Sequence, residues 1–161
     1  MLIMEICVTR FNRITFEENE NFRNKNNIKC IYSCPVKISN NILPNKDLII
    51  LEMNNSTNTI EGLGLIKNKL YLKNKYKIYS DNNYNRYTYL SNFRIDKNQL
   101  KNDLGIIRLN ELENLLFNSY KHCKRGQGIQ IIPKHIKKNI NEINYCKFLN
   151  DYIKLVLELN K

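Results

Sequence analysis

The pattern that most constrains the fold is a pair of apolar segments in the middle of the chain, joined by a short polar turn. The run Asp47-Leu48-Ile49-Ile50-Leu51-Glu52-Met53 lies between Pro44-Asn45 and Asn54-Asn55. A continuous apolar run bounded in this way is typical of a strand buried on both faces. The turn leads into residues 59–66, which are predicted as the return strand of a hairpin. A chain with this hairpin is predicted to be built around a β-sheet.

The return strand carries two glycines at alternate positions. Ile60, Gly62, Gly64 and Ile66 are predicted to share one face, because side chains alternate between the two faces of a strand. Paired glycines on one face allow sharp coiling of the strand or the close approach of another element, as at the corner of a barrel.

Further strands are predicted on both sides of the hairpin from apolar, β-branched or alternating patterns. They cover residues 1–8, 27–32, 71–79 and 87–95. In the segment 71–79, the alternation places Lys73, Lys75 and Lys77 on one face and apolar side chains on the other.

Three helices are predicted. The first begins at Thr15, where Glu18 is placed for a capping box. The second begins at Asn110, where Glu113 completes an N-cap pattern. The third begins at Asn141, and its apolar residues form one stripe that would pack on the body of the protein.

These elements predict the fold class. The pattern lacks crossover helices between successive strands, so a doubly wound parallel sheet is disfavoured. The chain has 161 residues, the usual length of one domain, and no internal repeat or Pro/Gly/Ser-rich linker divides it. We predict a single α+β domain over residues 1–161, a small and mostly antiparallel β-barrel with two or three flanking helices.

The positive charge is concentrated in the second part of the chain. The formal net charge is +11, yet residues 1–66 contain seven basic and seven acidic side chains, so residues 67–161 carry the whole excess. This asymmetry favours an acidic polymer or an acidic surface as the partner. No run of eighteen apolar residues occurs, so no membrane span and no membrane partner are expected.

The most informative segment for function is 67–101, in which basic and aromatic residues alternate. The three lysines of 71–79 are followed by Tyr84-Asn85-Arg86-Tyr87-Thr88-Tyr89 and by Arg94. Phosphate backbones need cations spaced along a surface, and unpaired bases need flat aromatic faces on which to stack. The alternative is a solvated edge strand, where lysine is common as protection against aggregation.

A second basic motif is Lys121-His122-Cys123-Lys124-Arg125-Gly126-Gln127-Gly128. Two glycines beside lysine and arginine permit a tight loop whose amides and cations could hold a phosphate. The motif is not a Walker A loop, because the spacing and the Lys-Ser/Thr ending of that loop are absent. The alternative is an ordinary glycine turn that enters a strand.

Metal and catalytic sites have less support. Cys30 and Cys34 with His122 and Cys123 offer four potential zinc ligands, but no second Cys-x2-Cys pair exists, and buried structural cysteines are commoner. Cys123 could act as a nucleophile among cations, although no partner residue is identified. No catalytic residue, metal or cofactor is therefore predicted, and an enzyme acting on nucleic acid stays the third hypothesis.

The hairpin region resembles PUA-like domains of the EVE and YTH type. The segments Ile42-Leu43-Pro44-Asn45-Lys46-Asp47 and Ile60-Glu61-Gly62-Leu63-Gly64 are similar to a core hairpin in which a Gly-Asp turn opens a strand and the next strand reads Ile-x-Gly-x-Gly/Ala. Here Lys46 replaces the usual glycine. The resemblance covers residues 28–70, and it implies a PUA-like barrel that binds RNA or a modified base. YTH readers use a cage that includes Trp, which this chain lacks.

The chain as a whole resembles uncharacterised proteins of large DNA viruses with AT-rich genomes. It is rich in Asn, Ile, Lys and Tyr, and it lacks Ala and Trp. Its five cysteines form an odd number, and the apolar first residues lack the basic leader and cleavage site of a signal peptide. These features favour an intracellular location, in the cytoplasm or nucleus of a host cell or in a virion.

The prediction for function is therefore a nucleic-acid-binding protein, with RNA or single strands favoured. The alternative is a non-enzymatic virion or host-interaction protein whose basic face meets a protein partner with an acidic surface. The residues predicted to bind nucleic acid are Lys73, Lys75, Lys77, Tyr84, Asn85, Arg86, Tyr87, Arg94, Lys124, Arg125 and Gln127. The residues predicted to line a base pocket are Tyr32, Ser33, Asn54 and Tyr89.

Overall fold

A computed structural model of the chain describes residues 4–142. The strands are β1 (Glu5–Phe11), β2 (Cys30–Cys34), β3 (Asp47–Asn54), β4 (Thr59–Lys67), β5 (Tyr87–Ser91), β6 (Phe93–Asp96) and β7 (Gln130–Ile131). The helices are α1 (Arg13–Asn26), α2 (Lys97–Leu104), α3 (Ile106–Glu113) and α4 (Lys134–Glu142), with a 3-10 turn at Asn82–Asn85 and a π-helical turn at Asn114–Asn118. The protein is therefore a mixed α+β protein.

Five of the strands form one sheet in the order β6-β4-β3-β1-β7. The predicted hairpin is confirmed as β3 and β4, which pair antiparallel at the centre of this sheet. β1 lies beside β3 and runs parallel to it, since α1 carries the chain back between them. β2 and β5 pair antiparallel in a separate two-stranded sheet.

The central sheet is covered on both faces, which explains why β3 is apolar on both sides. On one face, Ile49 and Leu51 pack with apolar residues of α2, α3 and α4, among them Leu112. On the other face, Leu48 and Ile50 pack with the β2–β5 sheet and with aromatic residues of α1. The prediction that β3 is buried on both faces is confirmed.

A bulge in the hairpin changes which residues of β4 share a face. Glu52 pairs with Gly62, but the next residue, Met53, pairs with Ile60, so that Glu61 is an extra residue on β4. An extra residue reverses the alternation of side chains beyond it. Ile60 therefore packs in the helical core while Ile66 packs on the opposite face. The prediction that the two isoleucines share a face is wrong for this reason.

The two glycines of β4 allow another element to approach closely, as their pattern predicts. A Cβ on Gly64 would clash with the hydroxyl of Tyr32 and would lie 2.9 Å from the sulfur of Cys30. A Cβ on Gly62 would lie 2.7 Å from the Nη2 atom of Arg94. Because neither glycine has a side chain, Tyr32 and Arg94 can lie directly on the surface of the sheet.

A closed barrel is not found among residues 4–142, because the described strands form one open sheet and one separate pair. The predicted β-barrel is therefore unconfirmed, and the relationship to PUA-like domains stays a prediction. The mixed α+β class is confirmed, with both parallel and antiparallel pairing.

Four of the predicted elements differ from the structure. The strand predicted over 87–95 is divided into β5 and β6, which belong to different sheets. Residues 71–79 form no strand, because the backbone there runs as an irregular segment over the β2–β5 side. α1 begins at Arg13 with Asn12 as its N-cap, so the capping box joins Asn12 to Thr15. Asn110 lies inside α3, and Gly105 precedes that helix. The helix predicted from Asn141 lies outside the described residues, apart from its first two positions.

Candidate nucleic-acid interface

A cleft of about 200 Å³ lies at the ends of the two parallel strands. The carboxyl ends of parallel strands meet at the same edge of a sheet, where the irregular chain that follows them can form a binding crevice. Here the end of β1, the first turn of α1, β2 and the loop 124–128 enclose the cleft. Its lining contains Arg10, Asn12, Thr15, Tyr32, Ser33, Asn55, Tyr84, Lys124 and Gln127, and residues 4–142 contribute no acidic side chain to it.

Two residues at the strand ends hold the loop 124–128, which we call the basic loop, in place. Arg10, near the end of β1, donates its Nε–H to the carbonyl of Cys123 at 2.6 Å. Asn55, directly after β3, donates its Nδ2–H to the carbonyl of Lys124 at 2.9 Å. Both hydrogen bonds connect residues far apart in sequence, so the loop is positioned by the central sheet.

Gly126 and Gly128 are required by the path of this loop. Their φ angles are +126° and +73°, in the region that favours glycine. A Cβ on Gly126 would also lie 3.1 Å from the Nη1 atom of Arg10, and a Cβ on Gly128 would lie 2.7 Å from Val36. The glycines thus let the loop pass close to Arg10 and to the segment after β2.

Two of the residues that line the cleft each have a buried polar atom without a partner among the described residues. The Nη1 atom of Arg10 and the Oδ1 atom of Asn55 are both buried and make no hydrogen bond within residues 4–142. Buried polar atoms in native proteins are nearly always paired, so each unpaired atom requires an explanation. Burial lowers the pKa of Arg10, and no salt bridge among residues 4–142 neutralises its charge.

A larger groove of about 570 Å³ lies beside the 3-10 turn. Its lining residues are Lys75, Tyr76, Lys77, Asn82, Asn85, Arg86 and Tyr87. The ring of Tyr76 stacks on Tyr71, with a centroid distance of 5.6 Å and an interplanar angle of 2°. The ring of Tyr87 lies under two cations, Lys37 at 5.4 Å and Arg86 at 5.5 Å from its centroid. Cations and flat aromatic rings therefore share one surface, which we call the basic groove.

The 3-10 turn Asn82–Asn85 lies between the basic groove and the cleft. Asn82 and Asn85 line the groove, whereas Tyr84 of the same turn lines the cleft. Tyr84 is 38% exposed, and its ring makes an edge contact with Tyr79 at a centroid distance of 6.2 Å. The structure thus brings most of the predicted nucleic-acid-binding residues into two neighbouring depressions.

The polar atoms of the Asn85 side chain are used in hydrogen bonds within the protein, so this residue is not available to read a base. Its Oδ1 atom accepts hydrogen bonds from the amides of Ile78 and Tyr79 at 3.0 and 2.9 Å. Its Nδ2–H donates to the carbonyl of Tyr79 at 2.8 Å. The side chain is buried, and it fixes the irregular segment that carries Lys75 and Lys77.

The variant Asn85→Ala is expected to lose about 2–3 kcal/mol of unfolding free energy, because two backbone amides lose their acceptor in a buried position. Asn83→Ala is the matched control, since Asn83 lies in the same turn with an exposed side chain, and a change within about 0.5 kcal/mol is expected. Urea denaturation measures both values. Equal stability of the two variants would contradict the structural role.

Arg94 is also removed from the predicted interface. Its guanidinium donates to both carboxylate oxygens of Glu52, with Nη2 to Oε1 at 2.6 Å and Nε to Oε2 at 2.8 Å. The hydroxyl of Tyr32 donates to Glu52 at 2.6 Å from the other side. Arg94 is 10% exposed, so its charge neutralises Glu52 inside the protein.

The remaining predicted residues lie in different environments. The Tyr89 hydroxyl accepts a hydrogen bond from the amide of Ile38, and Asn54 donates to Glu61, so both are buried away from the cleft. Of the predicted base pocket, Tyr32 and Ser33 line the cleft. Two basic residues are exposed outside the cleft and the groove, namely Lys73 beside an apolar groove and Arg125 on the basic loop.

The cysteines do not form the metal site considered from the sequence. Cys30 and Cys34 pack on the β2–β5 side of the sheet, whereas Cys123 belongs to the helical core on the other side. Burial raises the pKa of the Cys30 and Cys34 thiols to about 12. Burial also raises the pKa of Cys123 despite the opposing effect of Arg10. A thiol with a raised pKa is a poor nucleophile at neutral pH, so burial of Cys123 opposes its activation by cations.

Arg10 and Asn55, the two cleft residues with unpaired polar atoms, are among those that the sequence did not predict. Each directly follows buried positions at the end of a strand, and polar residues in that position are the available signal. Polar residues at strand ends indicate a site only if the ends of β1 and β3 meet, which requires that the two strands run parallel. The sequence patterns predicted mainly antiparallel pairing.

Comparisons with models of known protein families and with curated proteins find no match to this chain. Among residues 4–142, no helix has both the length and the apolar character needed to cross a membrane.

Proposed function

We propose that the protein binds single-stranded nucleic acid along the basic groove, with RNA favoured by the resemblance to PUA-like domains. The observation that carries the proposal is the lining of the groove, in which Lys75, Lys77 and Arg86 surround the rings of Tyr76 and Tyr87 without an acidic side chain. Cations along a surface neutralise phosphates, and exposed rings stack on bases.

The fixed arrangement of the groove supports the proposal. Tyr76 is held by stacking on Tyr71, and Asn85 fixes the backbone between the lysines and the 3-10 turn. A ring and a backbone segment that are already ordered lose little conformational entropy when a ligand binds. Single strands are favoured over duplex because the bases of a duplex are stacked on one another and cannot reach a tyrosine ring.

The proposal predicts how binding responds to salt. Labelled single-stranded RNA, single-stranded DNA and duplex are titrated with the purified protein, and fluorescence anisotropy is measured across a salt series. We expect the logarithm of the association constant for single strands to fall linearly with the logarithm of salt concentration, with a slope between about −2 and −4 for three to five phosphate contacts.

The same titration distinguishes a specific site from general attraction. Single strands are expected to bind roughly tenfold or more tightly than duplex, because each stacked base contributes about 1–3 kcal/mol. Equal binding to all three ligands that disappears at physiological salt would contradict the proposal. The net charge of +11 would then act only as a general attraction for polyanions.

Binding of a protein partner is the second candidate function, and a third groove favours it. This groove has a volume of about 680 Å³ and is lined by apolar residues such as Leu65, Leu70 and Phe93. Leu72 at its edge is 84% exposed, and Lys69 and Lys73 also line it. Such a surface fits a partner segment that is both apolar and acidic, as for a virion or host-interaction protein. If the titration detects no binding of nucleic acid, protein binding becomes the favoured function.

A further inference from the structure

We infer that the cleft at the ends of β1 and β3 binds the phosphomonoester of a nucleotide, either at the end of a nucleic-acid strand or in a free mononucleotide. The inference rests on the proposed function for its choice of a nucleotide. It concerns different residues, however, because the cleft and the basic groove have no lining residue in common.

The charge of Arg10 is the first reason for a phosphate ligand. The buried guanidinium of Arg94 is paired with Glu52 in a bidentate ion pair, whereas within the described part of the chain the Arg10 side chain has only the carbonyl of Cys123, which accepts from its Nε–H. Its Nη1 atom is buried without a partner. Partly burying an unpaired charge is unfavourable, and an anion in the cleft would remove this cost. The planar guanidinium is well suited to phosphate oxygens.

Lys124 provides a second cation in the same cleft. The backbone of Lys124 is fixed at both ends, since its carbonyl accepts from Asn55 and its amide donates to the Nδ1 atom of His122 at 3.2 Å. A phosphomonoester carries between one and two negative charges near neutral pH. Two cations in a cleft that lacks acidic side chains match this charge better than the single charge of an internal phosphodiester.

The unpaired acceptor indicates that the ligand also carries a hydrogen-bond donor. The Oδ1 atom of Asn55 can accept only from a group with a hydrogen, such as a sugar hydroxyl or an N–H of a base. Tyr84 at the cleft offers a partly exposed ring for the base. The volume of about 200 Å³ is below the roughly 300–1,000 Å³ of sites for drug-sized ligands, so the cleft can enclose the phosphate and part of one nucleotide, and not a length of chain.

The inference does not depend on the amino end of α1, although Asn12 and Thr15 line the cleft. The amide of Thr15 donates to the side chain of Asn12 at 2.8 Å, and the amide of Arg13 donates to the Oγ atom of Ser56 at 3.0 Å. These amides are already paired, so the anion would be held by side chains and by the basic loop.

The test compares strands that differ only in their ends. Short oligouridines with a 5′-phosphate, a 3′-phosphate or no terminal phosphate are titrated with the full chain. One phosphorylated form is expected to bind roughly tenfold or more tightly than the unphosphorylated strand. Lys124→Ala and Arg10→Lys should each reduce this preference to about threefold or less. Arg125→Ala, which removes the same charge from an exposed position of the same loop, should retain it.

Mononucleotides separate this inference from the proposed function. Uridine monophosphate, uridine and inorganic phosphate are added to ¹⁵N-labelled protein, and amide shifts of Gly126 and Gly128 are followed by NMR. Saturable shifts with uridine monophosphate, at lower concentration than with either of the other ligands, would support the cleft even if oligonucleotides fail to bind. Equal affinity for inorganic phosphate and uridine monophosphate would overturn the inference, as would an end preference that survives in Lys124→Ala and Arg10→Lys. If Arg10→Lys unfolds, Lys124→Ala alone decides, because the hydrogen bonds that Lys124 makes within residues 4–142 involve its backbone atoms, which alanine retains.

Discussion

Replacing Glu52 with glutamine is expected to lower the free energy of unfolding by about 3–5 kcal/mol, because Arg94 would keep its charge inside the protein without a counter-charge. Glu52 has a side chain that is 2% exposed and accepts two short hydrogen bonds from Arg94. It also accepts from the hydroxyl of Tyr32. Glutamine has one acceptor oxygen in place of two, so its amide would face a donor in one of these contacts. Urea denaturation at neutral pH measures the loss.

The same strand provides the control for this prediction. Asp47 of β3 pairs with Lys67 of β4 at 2.9 Å, but both side chains are about half exposed. Asp47→Asn is expected to cost no more than about 1 kcal/mol, because exposed ion pairs are screened by solvent. A loss for Glu52→Gln as small as that for Asp47→Asn would contradict the structural importance of the buried pair.

A double variant separates the charge effect from the packing effect. In Glu52→Leu with Arg94→Met, both charges are removed and the space is filled with apolar atoms, so most of the stability lost in Glu52→Gln should return. Tyr32 would still lack an acceptor for its hydroxyl, which is expected to leave a residual loss of about 1–3 kcal/mol. Failure of the double variant to recover stability would show that packing around Gly62 and Gly64, and not the unpaired charge, dominates.

The glycines of β4 show how far the sequence determines this part of the fold. Alternating glycines in a strand predict either coiling or the close approach of another element, and the close approach is observed. The pattern cannot tell which element approaches, because Tyr32 belongs to β2 and Arg94 to β6, both distant in sequence. The bulge at Glu61 could not be predicted from the sequence either, since it depends on the pairing of β3 with β4 and not on the composition of either strand.

The irregular segment 71–79 explains why part of the site was predicted wrongly. Its alternation of lysine and apolar residues is typical of a strand, yet Asn85 holds the amides of Ile78 and Tyr79, so these do not enter a sheet. Alternation therefore predicted the exposure of Lys75 and Lys77 correctly, and the strand incorrectly. Arg94 was predicted to bind nucleic acid because it is positively charged. Its burial depends on its position near Glu52 in the sheet, which the sequence does not show.

The variant in which Lys75, Lys77 and Arg86 are all replaced by alanine is expected to weaken binding of single strands by roughly tenfold to a hundredfold at low salt. Each phosphate contact that is lost reduces the salt slope by about 0.7 for a single strand, so the slope should become less steep by about 2. The three side chains are exposed, and the stability of the protein should change by less than about 1 kcal/mol. Anisotropy across the salt series measures both changes.

A variant with the same loss of charge on the opposite side of the central sheet tests whether position matters. Lys101 of α2 and Lys134 and Lys138 of α4 are exposed on helices that pack on the opposite face of the sheet from the β2–β5 pair. Replacing these three with alanine leaves the groove intact and lowers the net charge equally. Because nearby cations neutralise phosphates far more effectively than distant ones in salt solution, the slope should change by less than about 0.7. Equal effects of the two triple variants would mean that net charge alone attracts nucleic acid, and the groove would then have no specific role.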